Sequence, residues 1–124
     1  MKPELKKLII DIRVHDLNRA VAFYRDVLGS RLICKEADWA SFEAAGAEIH
    51  LYLHGGTESG LEFRVANLEN AVEELKASGA KFFIDTNQIN SLKIAGDIIE
   101  FPWGRAAFFK DSEGNQIALV EDGA

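Results

Sequence analysis

Between residues 7 and 14 the chain alternates. Ile10, Ile12 and Val14 fall on one side of an extended segment, and Ile9, Asp11 and Arg13 on the other. Asp16 follows, and then the period changes. Leu17, Val21, Tyr24 and Leu28 are spaced four, three and four, which makes one helical face. Asp16 suits the N-cap, because its carboxylate accepts from the free N–H groups of the first turn. Gly29 suits the stop, where positive φ is needed. The same order returns downstream. Leu61, Phe63 and Val65 alternate with Gly60, Glu62 and Arg64, Asn67 takes the cap, Leu68, Val72 and Leu75 form the helical face, and Gly79 ends it.

The two stretches are copies. Residues 12–22, IRVHDLNRAVA, align with residues 63–73, FRVANLENAVE, each identity lying 51 positions on, as from Arg13 to Arg64. Their sequels echo as well. In SFEAAGAEIHLYL and AFFKDSEGNQIALV, Phe42, Gly46, Ile49 and Leu51 match Phe108, Gly114, Ile117 and Leu119. Both sequels read as hairpins turned by glycine-containing loops. The pattern predicts an α+β fold, a single domain over residues 1–124. It is built of two βαβββ modules, 7–54 and 60–121, joined by the turn-like segment 55–59. Two such modules can form one concave mixed sheet with helices outside, leaving a cup for a ligand. The copies differ most at TNQINSLKIAGDIIEFPW, residues 86–103, where the first module has only Glu36 to Asp38. That insertion is expected to be a lid over the cup, a surface hairpin turned at Gly96-Asp97, or both.

Composition narrows the field of functions. With 48% hydrophobic and 27% charged residues, a folded core is expected rather than disorder. A net charge of −6 disfavours nucleic acid and anionic membrane as partners, since both reward basic patches. The apolar run Leu8-Ile9-Ile10 is cut by Asp11, too short for a signal-peptide core or a membrane span. One cysteine, Cys34, excludes an intrachain disulfide and a multi-thiolate metal site. A reducing, cytoplasmic setting is expected. The plainer reading of Cys34 is a packed strand thiol rather than a nucleophile.

RVHDLNRAVAFYRDVLG and WGRAAFFKDSEGNQIALVE, with the doubled unit, resemble the vicinal oxygen chelate superfamily. That group contains glyoxalase I, the bleomycin-resistance proteins and the extradiol dioxygenases. The resemblance covers about residues 8–121. The family's usual Asp-Pro-Asp-Gly turn is here Asp111-Ser112-Glu113-Gly114. Metal-dependent members carry ligands on the first and last strand of each module. Carried over, those positions are Ile9, His50, Gly60 and Ala118, and the internal repeat gives the same correspondence. Three of the four have no donor, and one imidazole does not make a selective site. His54, with His50 in AEIHLYLH, is expected on the same strand face but about 13 Å along, at roughly 3.3 Å per residue, too far to share an ion. The resemblance therefore implies no metal and no cofactor.

By strand parity the cup should show Asp11, Arg13, Glu48, His50, Tyr52, Glu62, Arg64 and Gln116, with Trp39, Phe101, Trp103 and Arg105 near the rim. Trp39 and Trp103 match tryptophans near the drug groove of the bleomycin-resistance group, and aromatic faces suit flat, partly apolar ligands. Packing roles for both are the plainer reading. Asp11/Arg13 and Glu62/Arg64 read as internal ion pairs, or as leaving one Arg for an anionic ligand. His50 beside Glu48 and Tyr52 reads as a hydrogen-bonded cavity histidine, or as acid–base machinery. The expected function is metal-free binding of a small organic ligand, through Trp39, His50, Tyr52, Phe101, Trp103, Arg105, Arg13 and Arg64, in a homodimer. The alternatives are a metal-independent isomerase or lyase using His50 and Glu48, and a scaffold or sensor with a vestigial cup.

Overall fold

The computed structural model describes residues 5–54, 56, 60–84, 93–102 and 104–123. The chain divides into two compact units, Met1–Ser59 and Gly60–Ala124. The fold is α+β with mixed sheets. In the first unit the order is β1 (Ile9–Arg13), α1 (Leu17–Ala22), β2 (Arg31–Lys35), β3 (Trp39–Ala44) and β4 (Ala47–Tyr52). The strands line up as β1-β4-β3-β2, with β4 parallel to β1 and antiparallel to β3.

Alternation decides which side is buried. Ile12 and Val14 on β1 and its end, Ile49 and Leu51 on β4, and Ala40 and Phe42 on β3 are all sealed from solvent. They form the floor on which α1 lies, against β3 and β4. Tyr24, fully buried, brings its ring centroid to 5.9 Å from that of Phe42. Burying each such large apolar side chain contributes about 1.5–3 kcal/mol.

The predicted caps are in place. Asp16 accepts from the Arg19 N–H and Asn67 from the Asn70 N–H, each at 3.0 Å. The first helix departs from expectation past Ala22. There it widens into a π-helical turn, Phe23–Val27, in which the Leu28 N–H donates to the Phe23 carbonyl. The wider turn leaves Leu28 only half-buried, whereas Leu17, Val21 and Tyr24 are buried. Gly29 then adopts φ +78° and the chain leaves the helix.

A two-residue turn, Ala45-Gly46, joins β3 to β4, and both residues have positive φ, +51° and +82°. That is the mirror-image turn a right-twisted hairpin prefers. The expected strand AEIHLYLH stops at Tyr52, so the placement of His54 on the strand face is corrected. Partner strands run out there: the Leu53 N–H turns to the Asp38 carbonyl, and His54 lies in an exposed bend.

The second unit runs β5 (Leu61–Arg64), α2 (Leu68–Ala77), β6 (Phe82–Phe83), β7 (Lys93–Ala95), β8 (Ile98–Phe101), β9 (Gly104–Lys110) and β10 (Gln116–Asp122). Its sheet order is β5-β10-β9-β8-β7, and β6 also pairs with β9. Since β10 occupies one edge of β9 throughout, β6 and β8 share the other. Phe82 pairs with Phe109, and Ile99 pairs with Ala106 further along. The two are fragments of one strand position, the place β2 holds in the first unit, split by the insertion. The hairpin reading of the insertion holds where it is described, with β7 and β8 turning at Gly96-Asp97. Residues 85–92 and 103, which bear on the lid reading, lie outside the described residues.

Helix α2 ends in a Schellman turn: the Ala80 N–H reaches the Leu75 carbonyl and the Gly79 N–H that of Lys76, with Gly79 at φ +108°. Its start is fixed by the sheet. Glu121 accepts from the Leu68 N–H at 2.8 Å, and Arg105 donates to Glu121 at 2.6 Å and to both carboxylate oxygens of Glu69. The β9–β10 turn is built on buried Asp111, which accepts from the backbone N–H groups of Glu113 and Asn115 and from the Asn115 amide. Pro at 112 is not required for that cage, so the departure from the family turn costs it nothing visible. No helix among the described residues is long and apolar enough to cross a membrane.

Two outcomes follow from this fold. Ala45 carries a left-handed backbone that an L-residue with a Cβ adopts at a cost of roughly 1–2 kcal/mol, whereas Asn tolerates it. Ala45→Asn should raise stability by about 0.5–1 kcal/mol, and the melting temperature by a few degrees. A thermal unfolding curve unchanged from the parent would contradict this. The Glu69 carboxyl is held down to about 2, first by the hydrogen bond from Arg105 and then by its backbone N–H. A depressed carboxyl stabilises the fold above its ordinary value, and that contribution fades as pH falls toward about 2. Denaturant unfolding of the parent and Arg105→Met should therefore differ most at neutral pH, the gap narrowing as pH falls from about 4.5 toward 2. A gap independent of pH would mean that Arg105 acts through packing alone.

Candidate functional site

The open side of the first sheet is a grid fixed by strand register. Asp11 of β1 pairs with His50 of β4, His50 with Ser41 of β3, and Ser41 with Cys34 of β2. In the next row Arg13 pairs with Tyr52, and Tyr52 with Trp39. In the row on the other side Ile9 pairs with Glu48, Glu48 with Glu43, and Glu43 with Arg31. Cross-strand partners share a face, so these residues stand together opposite the α1 side.

Along β4 a hydrogen-bonded series forms. Glu48 Oε1 lies 2.9 Å from His50 Nε2, and His50 Nδ1 lies 3.1 Å from Tyr52 Oη. Lys7 Nζ anchors the far carboxylate oxygen of Glu48 at 2.6 Å. The Trp39 ring centroid sits 5.5 Å from that of His50 and 6.4 Å from that of Tyr52, nearly parallel to the latter at 21°. The side chains of His50 and Glu48 are 15% and 19% exposed, open enough to meet a ligand yet held in place. Lys7 and then His50, through hydrogen bonds, hold the Glu48 carboxyl below its ordinary range. Burial, and then the charge and hydrogen bond of Asp11, push the Tyr52 phenol above its ordinary range. Both shifts favour a Glu48 anion and a neutral Tyr52.

Other expected site residues are placed differently. Arg13 stands in the Tyr52 row and also reaches the Gly56 carbonyl at 3.4 Å. Arg64 is engaged by Glu62 at 2.9 Å and by Asp122, as the internal-pair reading expects. Arg105 lies on the helix side of its sheet, forked over Glu69 and Glu121. Phe101 and Arg105 line a cavity of about 430 Å³ in the second unit, with Glu100, Pro102 and Glu121 on its walls. Trp103 lies outside the described residues. Cys34 is half-buried, its Sγ 3.8 Å from a Glu36 carboxylate oxygen.

The repeat makes the second unit a control. Gln116, Ala118 and Val120 stand where Glu48, His50 and Tyr52 stand in the first. There Ala106, Ala118 and Val120 are buried together, with Phe101 and Phe108 packed against them. The polar series thus belongs to one copy only. Two members of its surroundings escaped the sequence reading. Lys7 has the parity of Ile9, Asp11 and Arg13, and Ser41 that of Trp39; counting in twos, past the start of β1 and within β3, finds both.

The metal chemistry of the family does not fit these residues. Ile9, Gly60 and Ala118 bring no donor to the positions that need one, and Nε2 of His50 already faces Glu48. Among the described residues no three His, Cys, Asp or Glu side chains are grouped to hold an ion.

Comparison with curated proteins returns no significant match. Solved structures do match. A lactoylglutathione lyase from Agrobacterium tumefaciens is similar with TM-score 0.74 and 16% identity, over 97% of this chain and 96% of that one. A glyoxalase/bleomycin resistance protein/dioxygenase from Nocardioides gives 0.73 and 18%, over 98% and 86%. TnmS3, an antibiotic binding protein from Streptomyces sp. CB03234, gives 0.70 and 22%, over 99% and 100%. At these identities the likeness is one of fold. Residues 8–119 match a family directly, and with the doubled βαβββ unit laid out as above, the chain belongs to the Glyoxalase/Bleomycin resistance protein/Dioxygenase superfamily.

Proposed function

We propose that this protein binds a small, flat, partly apolar organic molecule without a metal ion, against the open face formed by Trp39, His50 and Tyr52. The observation that carries the reading is the cluster of three rings on one sheet face, with centroids 5.5 to 6.4 Å apart. Such a surface offers aromatic area with few rotatable bonds, and its polar atoms are confined to one edge. The metal positions of the family are empty of donors at Ile9, Gly60 and Ala118, which supports a binding role over metal catalysis. TnmS3, which shares the fold, is an antibiotic binding protein, and that supports an organic ligand. Arg13, cross-strand partner of Tyr52, extends the site along the same row. A homodimer in the cytoplasm is part of the proposal, the single cysteine fitting a reducing setting.

A second reading has its own support. The hydrogen-bonded Glu48–His50–Tyr52 series is what a metal-independent isomerase or lyase would use to move a proton. The fold does not choose between them, since a lactoylglutathione lyase and an antibiotic binding protein both share it.

Two measurements test the proposal. Calorimetric titration of the untagged protein with Ni²⁺ and Zn²⁺ should show no stoichiometric site tighter than about micromolar. A tight site abolished in His50→Ala would overturn the metal-free reading. A small-molecule screen should yield flat ligands that quench tryptophan fluorescence. Loss of one ring contact and the space it leaves should weaken such a ligand at least tenfold in Trp39→Ala, about 1.4 kcal/mol. With folding confirmed by circular dichroism, an unchanged affinity would remove Trp39 from the site.

A further inference from the structure

Beyond the ring face of the first unit, we propose that the cavity in the second unit binds an organic cation, a primary amine on a short apolar body, with Glu100 receiving its ammonium group. The cavity measures about 430 Å³ and lies where β8 ends, β9 begins and β10 ends. Small-molecule sites run to roughly 300–1,000 Å³, so this one suits a small ligand. Register builds its walls. Glu100, Arg105 and Glu121 form one row across the three strands, on the helix side. Phe101, Gly104 and Asp122 form the next row, on the other face. Ala66 and Pro102 add apolar wall to that of Phe101.

The charges on those walls decide which head group fits. Asp122 is paired with Arg64, and Glu121 with Arg105. Arg105 is also bonded to Glu69, so one cation stands between two carboxylates and the cluster keeps an excess of negative charge. An anion would have to compete with both for that guanidinium. Glu100 makes no hydrogen bond or ion pair among the described residues, although register sets it between Lys93 and Arg105. An exposed carboxylate alone is ordinary. Beside a concave wall of Ala66, Phe101 and Pro102 it becomes the polar end of an amphipathic site. An ammonium group brings three donors and no acceptor, which matches an acceptor-only carboxylate. Charge-assisted hydrogen bonds of this kind are roughly twice as strong as neutral ones. A cleft walled by one sign of charge also raises the local concentration of the opposite ion.

The test uses 2-phenylethylamine, 2-phenylethanol and 3-phenylpropanoate, which share one apolar body and differ in the charge of the head. Binding is followed by amide chemical shifts of the labelled full chain at neutral pH and low salt. The amine should move the N–H signals of Ala66, Gly104 and Gly123, which line the cavity. It should bind at least about threefold more tightly than the alcohol, the scale of a partly exposed ion pair, and the carboxylate should bind most weakly. In Glu100→Gln, with folding confirmed by circular dichroism, the preference for the amine should fall toward one. Raising the salt should shrink it in the parent as well, because the pair is screened. Equal affinities for amine and alcohol would overturn the proposal, as would tightest binding by the carboxylate. An amine preference undiminished in Glu100→Gln would also overturn it, since net protein charge alone would then explain the result. Shifts centred on Trp39 and Tyr52 instead, or none at millimolar amine, would remove the second site and leave the ring-face reading to its own tests.

Discussion

β4 is hydrogen-bonded to β1 along one edge and to β3 along the other, and that double pairing fixes its register. Ile49 and Leu51 enter the core beneath α1, so Glu48, His50 and Tyr52 are forced to the opposite side. A slip of one residue would turn three ionisable groups toward the core and expose two large aliphatic ones, at several kcal/mol. The same register aligns Asp11 and Ser41 with His50, and Arg13 and Trp39 with Tyr52. The site therefore needs no loop to assemble it. Its geometry follows from the burial of side chains on the opposite face of the sheet.

Comparing the two units separates what the fold requires from what this chain adds. Both carry an Asp or Asn cap, an apolar helix face, a parallel first-to-last strand pair and a glycine-turned hairpin. Those features recur because each is needed to cover a sheet with a helix. The open faces share an acidic residue and an Arg on the first strand, Asp11/Arg13 and Glu62/Arg64, but differ on the last strand. Small and apolar side chains fill the second, Ala106, Ala118 and Val120, where the first has a hydrogen-bonded polar series. A polar group on a half-buried face is costly unless it is paired, and Lys7, Glu48, His50 and Tyr52 pair one another.

The elements were legible because their signals are periodic. The two caps, the helix faces, the alternating strands and the repeat offset all follow from spacing alone. Three features escaped for physical reasons. The π-helical turn at Phe23–Val27 changes backbone hydrogen bonding without changing residue type, so period-3.6 counting passes over it. The split strand β6/β8 is short in each part, and its unity exists only through shared pairing to β9. The end of β4 at Tyr52 depends on where its neighbours stop, which no property of Leu53 or His54 reveals. At the candidate site, parity placed Glu48, His50, Tyr52 and Asp11 on one face, but the direction of each hydrogen bond is a tertiary fact. Arg105 shows the limit most clearly. It is expected near the rim of the cup, yet its parity with Ala107 and Phe109 sets it on the helix side.

The arginines also bear on what kind of ligand the protein can hold. Arg105 is committed to Glu69 and Glu121, and Arg64 to Glu62 and Asp122. A ligand carboxylate or phosphate drawing on either would first have to displace two carboxylates, and in Arg105 would also release the start of α2 from the sheet. Surface ion pairs are individually weak, so displacement is not forbidden, but it returns little net energy. Rings meet no such competition at Trp39. Burial of a flat apolar surface there gains the full transfer free energy of the area covered, about 25 cal/mol per Å². The chain's net charge of −6 acts in the same direction, repelling anions at long range. On the proposed reading, recognition rests on aromatic contact and on the hydrogen-bonding edge of β4, chemistry that the first unit has and that Ala118 and Val120 do not offer in the second.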